Sequence, residues 1–216
     1  MKLLVISDEA DPGLWDYFSR DKLAGVDAII SCGDLPADYL SFLVTMGNIP
    51  VFYVHGNHDS SYDKKPPEGC DCIDGAVVDF KGYHILGLGG CSRYNAGQHQ
   101  YTEWEMRRRI IKVGAALRHG GVDILVTHAP AQGLGDIDDV CHRGFACFRE
   151  LLDKYRPLYH CYGHVHLQYV PTQPRLRQYG DTTVVNASGK YLIELPDRPG
   201  EPKKWWRRWD GILHHG

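Results

Sequence analysis

Val51-Phe52-Tyr53-Val54-His55-Gly56-Asn57-His58-Asp59 decides the reading of this chain. An apolar run rich in β-formers stops at a glycine followed by an amide, an imidazole and a carboxylate, so a buried strand delivers three polar functions onto a tight turn. The same pattern recurs. Leu3 to Ser7 runs into Asp8, Ala28 to Ser31 into Gly33-Asp34, Ile124 to Thr127 into His128-Ala129-Pro130, and Leu158 to Tyr162 into Gly163-His164-Val165-His166. Five separated strand ends thus offer carboxylates, an amide oxygen and imidazoles, which is the donor set that a carboxylate-bridged pair of metal ions requires.

Each cluster has a plainer reading when taken alone. Asp8 and Asp34 follow buried runs, where an ionised carboxylate needs a counter-charge that a divalent ion supplies, yet aspartate is also an ordinary turn residue. Asn57 presents a neutral, hard amide oxygen, and His58 beside it can reach substrate without ligating. Asp59 is placed to accept a hydrogen bond from His58 and to favour its charged, proton-donating form. If residues 164–166 are extended, His164 and His166 share a face and can address two adjacent ions. In the glycine-rich stretch 87–100, Arg93-Tyr94-Asn95 offers a guanidinium for a phosphate and an aromatic face for an organic group, against the alternative of a surface arginine in a long loop.

A chain of 216 residues that is 43% hydrophobic closes one substantial core, and a single domain over 1–216 is expected. The formal charge of -3 gives no field that gathers nucleic acid. No run of 18 apolar residues is present to span a membrane, and Met1-Lys2 leads straight into the strand that ends at Asp8. A cleaved leader would remove that residue, so the cytoplasm is the expected location. Seven cysteines, an odd number in a chain of this size, read as free thiols, with Cys32, Cys91 and Cys161 packed on strands and Cys70 and Cys72 in a surface loop. The basic and aromatic end Lys203-Lys204-Trp205-Trp206-Arg207-Arg208-Trp209 is read as tryptophans tucked onto the core with wet cations, ahead of a nucleic-acid or membrane contact.

Helices are expected over Ala37 to Met46, over Glu103 to Arg118 with Thr102 as the cap, and over Phe145 to Lys154. Glu103 with Arg107 and Glu105 with Arg109 have the spacing of ion pairs on a solvated helix face. Further strands are predicted at His84 to Leu88, Gln168 to Pro171, Thr182 to Asn186 and Tyr191 to Leu195, with turns at Gly180-Asp181 and Gly189-Lys190. Stacked helix, sheet, sheet and helix layers account for both halves: an α/β fold, a four-layer α-β-β-α sandwich of two mixed sheets flanked by helices.

The order and content of the five clusters resemble the calcineurin-like metallophosphoesterase superfamily, in its small single-domain bacterial type, over about residues 3 to 166. The resemblance implies the same sandwich and a binuclear centre of two divalent or mixed-valence ions drawn from Mn, Fe, Zn or Ni. It makes Asp34 the bridging carboxylate, Asn57, His128 and His164 the rest of one site, and Asp8 and His166 the ligands of the other. His58 resembles the non-ligating histidine that contacts phosphate, and Asp59 its orienting partner. The implied activity is hydrolysis of a small phosphodiester or phosphomonoester by metal-activated hydroxide. One position departs: the superfamily opens with Asp-x-His, and this chain reads Asp8-Glu9-Ala10. Alanine donates nothing to a metal, so solvent, or else Asp11, is expected to complete the first site, while Glu9 points away if the strand alternation continues. That loss is also what a catalytically degenerate interaction protein of the same fold would show.

Overall fold

The computed structural model describes residues 1–198 and 206–209. In chain order it contains β1 (Lys2–Ser7), β2 (Ala28–Ser31), helix α1 (Ala37–Gly47), β3 (Val51–Tyr53), β4 (Asp71–Cys72), β5 (Ala76–Phe80), β6 (Tyr83–Leu88), β7 (Cys91–Ser92) and β8 (Gln100–Tyr101). Helices α2 (Glu103–Lys112) and α3 (Gly114–Gly120) precede β9 (Ile124–Thr127), followed by α4 (Ala146–Tyr155), β10 (Tyr159–Tyr162), β11 (Leu176–Tyr179), β12 (Thr182–Asn186), β13 (Gly189–Glu194) and β14 (Trp206–Trp209). One large sheet has the order β13-β1-β2-β3-β4 and the other β11-β12-β10-β9-β6-β5-β14, while β7 and β8 pair as a small two-stranded sheet.

Strand alternation sorts the apolar side chains into three layers. Leu3, Val5, Ile30 and Phe52 face Ile85, Ile124, Val126 and Val185 of the opposite sheet and form the seam between the sheets. Leu4, Ile6, Ile29 and Val51 point the other way, onto Tyr39, Leu40 and Leu43 of α1. On the far side, Leu86, Leu88 and Leu125 receive Met106, Leu117, Phe148 and Leu151 from α2, α3 and α4. Strands buried on both faces read as continuous apolar runs, and here they build the four-layer sandwich. No helix among the described residues is long and apolar enough to cross a membrane.

Several elements differ from the sequence reading. The expected helix over 103–118 breaks at Val113, ahead of the poor helix former Gly114. Its start is as read, with Thr102 and Glu105 forming a capping box. Glu103 pairs with Arg107 at 3.3 Å, but Glu105 turns to Arg93 and Arg109 to Asp74, because tertiary partners outcompete helix neighbours. Residues 168–171 are a turn instead of a strand, and Leu176–Tyr179 pairs with β12 in that role. Gly189-Lys190 is no turn either; it opens β13, antiparallel to β1. Cys32, Cys91 and Cys161 are buried as expected, and all seven cysteines are free. The backbone of Trp206–Trp209 pairs with β5, while Lys203, Lys204 and Trp205 lie outside the described residues.

Behind the 56–59 turn sits a buried charged network. Asp74 accepts hydrogen bonds from the Gly89 amide at 2.7 Å and from Arg109, and its other oxygen meets His55 Nδ1 at 3.0 Å. Arg109 also donates to the Gly89 carbonyl at 2.7 Å, and the Gly90 amide to the His55 carbonyl at 2.7 Å. Burial opposes ionisation at Asp74, yet the Arg109 charge and the His55 contact hold its carboxyl well below the usual range. Burial likewise opposes a charged His55, but its bond to Asp74 prevails and raises it to about 10. Asp74→Ala would leave two cations without their buried partner and should cost about 3–5 kcal/mol of stability, read as a lower urea midpoint. A loss below about 1 kcal/mol would show that the network is dispensable.

Candidate metal centre

The parallel strands β1, β2 and β3 of one sheet and β9 and β10 of the other release their loops at one edge, the usual place for ligands in open α/β sheets. Three residues there depart from ordinary backbone geometry. Asp8 (φ 65°), Asp34 (φ 57°) and His164 (φ 69°) are left-handed, which is uncommon for residues bearing a Cβ and costs about 1–3 kcal/mol each. Hydrogen bonds to carboxylates hold the loops together. The Asp8 carboxylate accepts from the His164 amide at 2.9 Å, Asp34 from the His58 amide at 2.8 Å, and Asp59 from the amides of Asp34 at 2.9 Å and Gly56 at 2.7 Å. Close approach fixes the glycines: a Cβ on Gly33 would lie 2.5 Å from the Gly56 amide nitrogen, and one on Gly56 would strike the Asp34 carboxylate.

Donor atoms of Asp34, His128 and His164 lie within 4.8 Å of one another. His128 Nε2 is 3.2 Å from Asp34 Oδ2 and 3.0 Å from Asn57 Oδ1, while its Nδ1 meets the Cys32 carbonyl at 2.8 Å. Asn57 is oriented in turn by donating its amide to the Tyr94 hydroxyl at 3.2 Å. Full burial works against a charged His128, but the Asp34 charge and hydrogen bond overcome it and raise the ring to about 9. Burial also opposes ionised Asp34, yet His128 and the His58 amide hold that carboxyl well below the usual range. His164 is lowered to about 3 by burial and by the His128 charge, and its Nε2 donates to the Cys141 carbonyl at 2.8 Å, which leaves Nδ1 with the lone pair a metal needs. Burial pushes Asp8 up, and its Oδ2 is buried with no hydrogen-bond partner among the described residues. An Nε2 proton of His128 shared between Asp34 and Asn57, a neutral buried imidazole and an orphaned carboxylate oxygen fit a cationic guest.

His58 is exposed beside this cluster, and Asp59 is spent on backbone amides where the sequence reading gave it to the His58 ring. Burial and the Asp34 charge raise Asp59 to about 6 against those two amide bonds. Arg93 is bound to Glu105 at 2.8 Å, Asn95 accepts from Gln100 within its own loop at 2.7 Å, and only Tyr94 of the trio reaches the centre, through Asn57. His166 lies at the rim, its Nδ1 2.9 Å from Glu9 Oε1. Asp11 is engaged by Lys190 at 2.8 Å and by the Leu14 amide. His142 stands with its ring 5.0 Å from that of His164, held by Asp139 at 2.8 Å, and the Cys141 carbonyl beside it is a backbone contact with no signature in the sequence.

A model of the calcineurin-like phosphoesterase family matches residues 1–168, and the chain belongs to that family of metal-dependent phosphoesterases. One crystal structure superposes with a TM-score of 0.66 at 15% identity, over 89% of this chain and 94% of its own. The crystal structure of TT1561 from Thermus thermophilus gives 0.58 at 17% identity, covering 87% and 89%. GAP50, described as the anchor in the inner membrane complex of Plasmodium, gives 0.54 at 13%, covering 87% and 71%. At these identities the likeness is one of fold. No curated protein sequence matches the chain.

A divalent ion must displace the proton from His128 before Nε2 can ligate. Apparent affinity for Mn²⁺ should therefore climb by about tenfold per pH unit for the one proton released, up to about pH 9, and level off above it, as read by calorimetric titration. A profile flat between pH 7 and 9 would mean that no proton is held there.

Proposed function

We propose that the protein is a binuclear, metal-dependent phosphoesterase acting on phosphodiesters. The observation that carries this reading is the meeting of Asp34, Asn57, His128 and His164 beside the orphaned Asp8 oxygen, with the exposed imidazole of His58 next to them. Asp34, Asn57, His128 and His164 would hold one ion, and Asp8, Asp34 and His166 the other. Two divalent ions, when bound, supply Lewis acidity toward phosphoryl oxygens and acidify water toward neutral pH.

The protein's own groups account for the remainder. The Asp34 carboxylate holds the His58 amide, and the exposed His58 ring beyond it can deliver a proton to the departing oxygen. The Tyr94 hydroxyl keeps the Asn57 amide turned with its oxygen toward His128. Arg93 is neutralised by Glu105 and brings no net charge to the rim, which favours a singly charged diester over a dianionic monoester. The exposed ring of Tyr169, next to His142 and His166, offers a face for the second organic arm.

The test is metal-dependent hydrolysis of bis(p-nitrophenyl) phosphate beside p-nitrophenyl phosphate, with chelation as control. The diester should turn over faster, and preference for the monoester would overturn that choice. His58→Ala should keep its metal and lose about 10²- to 10⁴-fold in turnover. Unchanged kinetics with full metal would remove His58 from the mechanism. Ala10 favours one other reading, an interaction protein with a lapsed site, and metal-loaded protein that cleaves neither ester would establish that reading instead.

A further inference from the structure

We propose that Glu9 is a positioning residue of the first metal site, standing in for the histidine that position 10 lacks by holding the His166 imidazole from behind. The inference rests on the two-ion reading. Strand β1 ends at Ser7, and had alternation continued, Glu9 would face away from the centre. The left-handed Asp8 interrupts it: the Glu9 amide folds back to the Ser7 carbonyl at 2.7 Å, and the side chain swings round to the 163–168 loop. There Oε1 lies 2.9 Å from His166 Nδ1 and 3.5 Å from Gln168 Nε2, the first contact spanning 157 residues of sequence.

A histidine whose Nδ1–H is held by a carboxylate has its tautomer and ring plane set, and its Nε2 carries the lone pair. This is the support that metal-ligating histidines commonly have, and the carboxylate also makes the ring a stronger donor. Asp8, the neighbour of Glu9, presents the orphaned buried oxygen on the same turn, so one turn provides both a candidate ligand and the support for another. The site thus answers a missing direct donor with a better-held one. His166 is partly exposed and would otherwise be held at the rim only by its ring contact with Tyr169, which sets neither its tautomer nor its hydrogen bonding.

The competing explanation is a plain clasp between two loops. Equilibrium dialysis against Mn²⁺ with elemental analysis separates the two, run on wild type, Glu9→Ala, Glu9→Gln and Asn57→Ala, with thermal melts of the metal-free proteins. Wild type should bind two equivalents, and Asn57→Ala should lose the tighter. Glu9→Ala should keep the tighter and weaken the other by about 10- to 100-fold, with an unchanged metal-free melting temperature. Glu9→Gln, which retains an acceptor oxygen without the charge, should weaken it less. Wild-type affinity in Glu9→Ala, or a melting temperature that falls with the affinity, would overturn the inference. Wild type binding a single equivalent would defeat the two-ion reading and Glu9's role together, whereas two equivalents untouched by Glu9→Ala would defeat the role alone.

Discussion

Asp34 ties the centre together. Its amide donates to Asp59, one carboxylate oxygen accepts from the His58 amide, and the other faces His128, so a single residue joins the loops after β2, β3 and β9. A charge this enclosed is costly unless its lone pairs are answered, and here the answers come from the His58 amide and one protonated imidazole. The left-handed backbone at Asp34, with Gly33 pressed on Gly56, is what lets those loops come so close. Loosening any one contact would move the others, since none of the three loops has room to settle independently.

Support for this junction reaches well behind it. His55, the residue before Gly56, is anchored by Asp74, which also holds Arg109 of α2 and the Gly89 amide beyond β6. The 56–59 turn is therefore braced from both sheets and from a helix. Such bracing suits a site built from strained positions, because strain persists only where the surroundings over-determine the conformation.

How much of this is legible in the sequence depends on whether a residue's role is local. Asp8, Asp34, Asn57, His128 and His164 stand out because each ends an apolar run at a turn, and strand boundaries are local chemistry. The layers are equally readable from Leu3, Leu4, Val5 and Ile6, whose alternation splits between two cores. Arg93 and Glu105 read as serving different tasks because their pairing joins a loop to a helix, which spacing along the chain does not reveal. Glu9 reads the wrong way for a sharper reason: alternation holds only while φ stays negative, and nothing in Ser7-Asp8-Glu9 announces that Asp8 is left-handed. Asp59 likewise looks like the partner of its neighbour until the amides of Gly56 and Asp34 claim it. The strand at 176–179 escapes notice because its burial alternates weakly at a sheet edge.

Both sheets are completed by the last part of the described chain, which contributes none of the proposed ligands. Strand β12 lies against β10, the strand leading to His164, and β13 lies against β1, the strand leading to Asp8, with Ser7 opposite Gly189. Without them, two of the ligand-bearing strands would be open sheet edges, with unpaired amides available to any passing chain. The order of synthesis gives this a temporal side. The strand that encloses β1 is made about 180 residues after Asp8, so β1 must wait, half-paired, while that length of chain is added before its loop can be held in place.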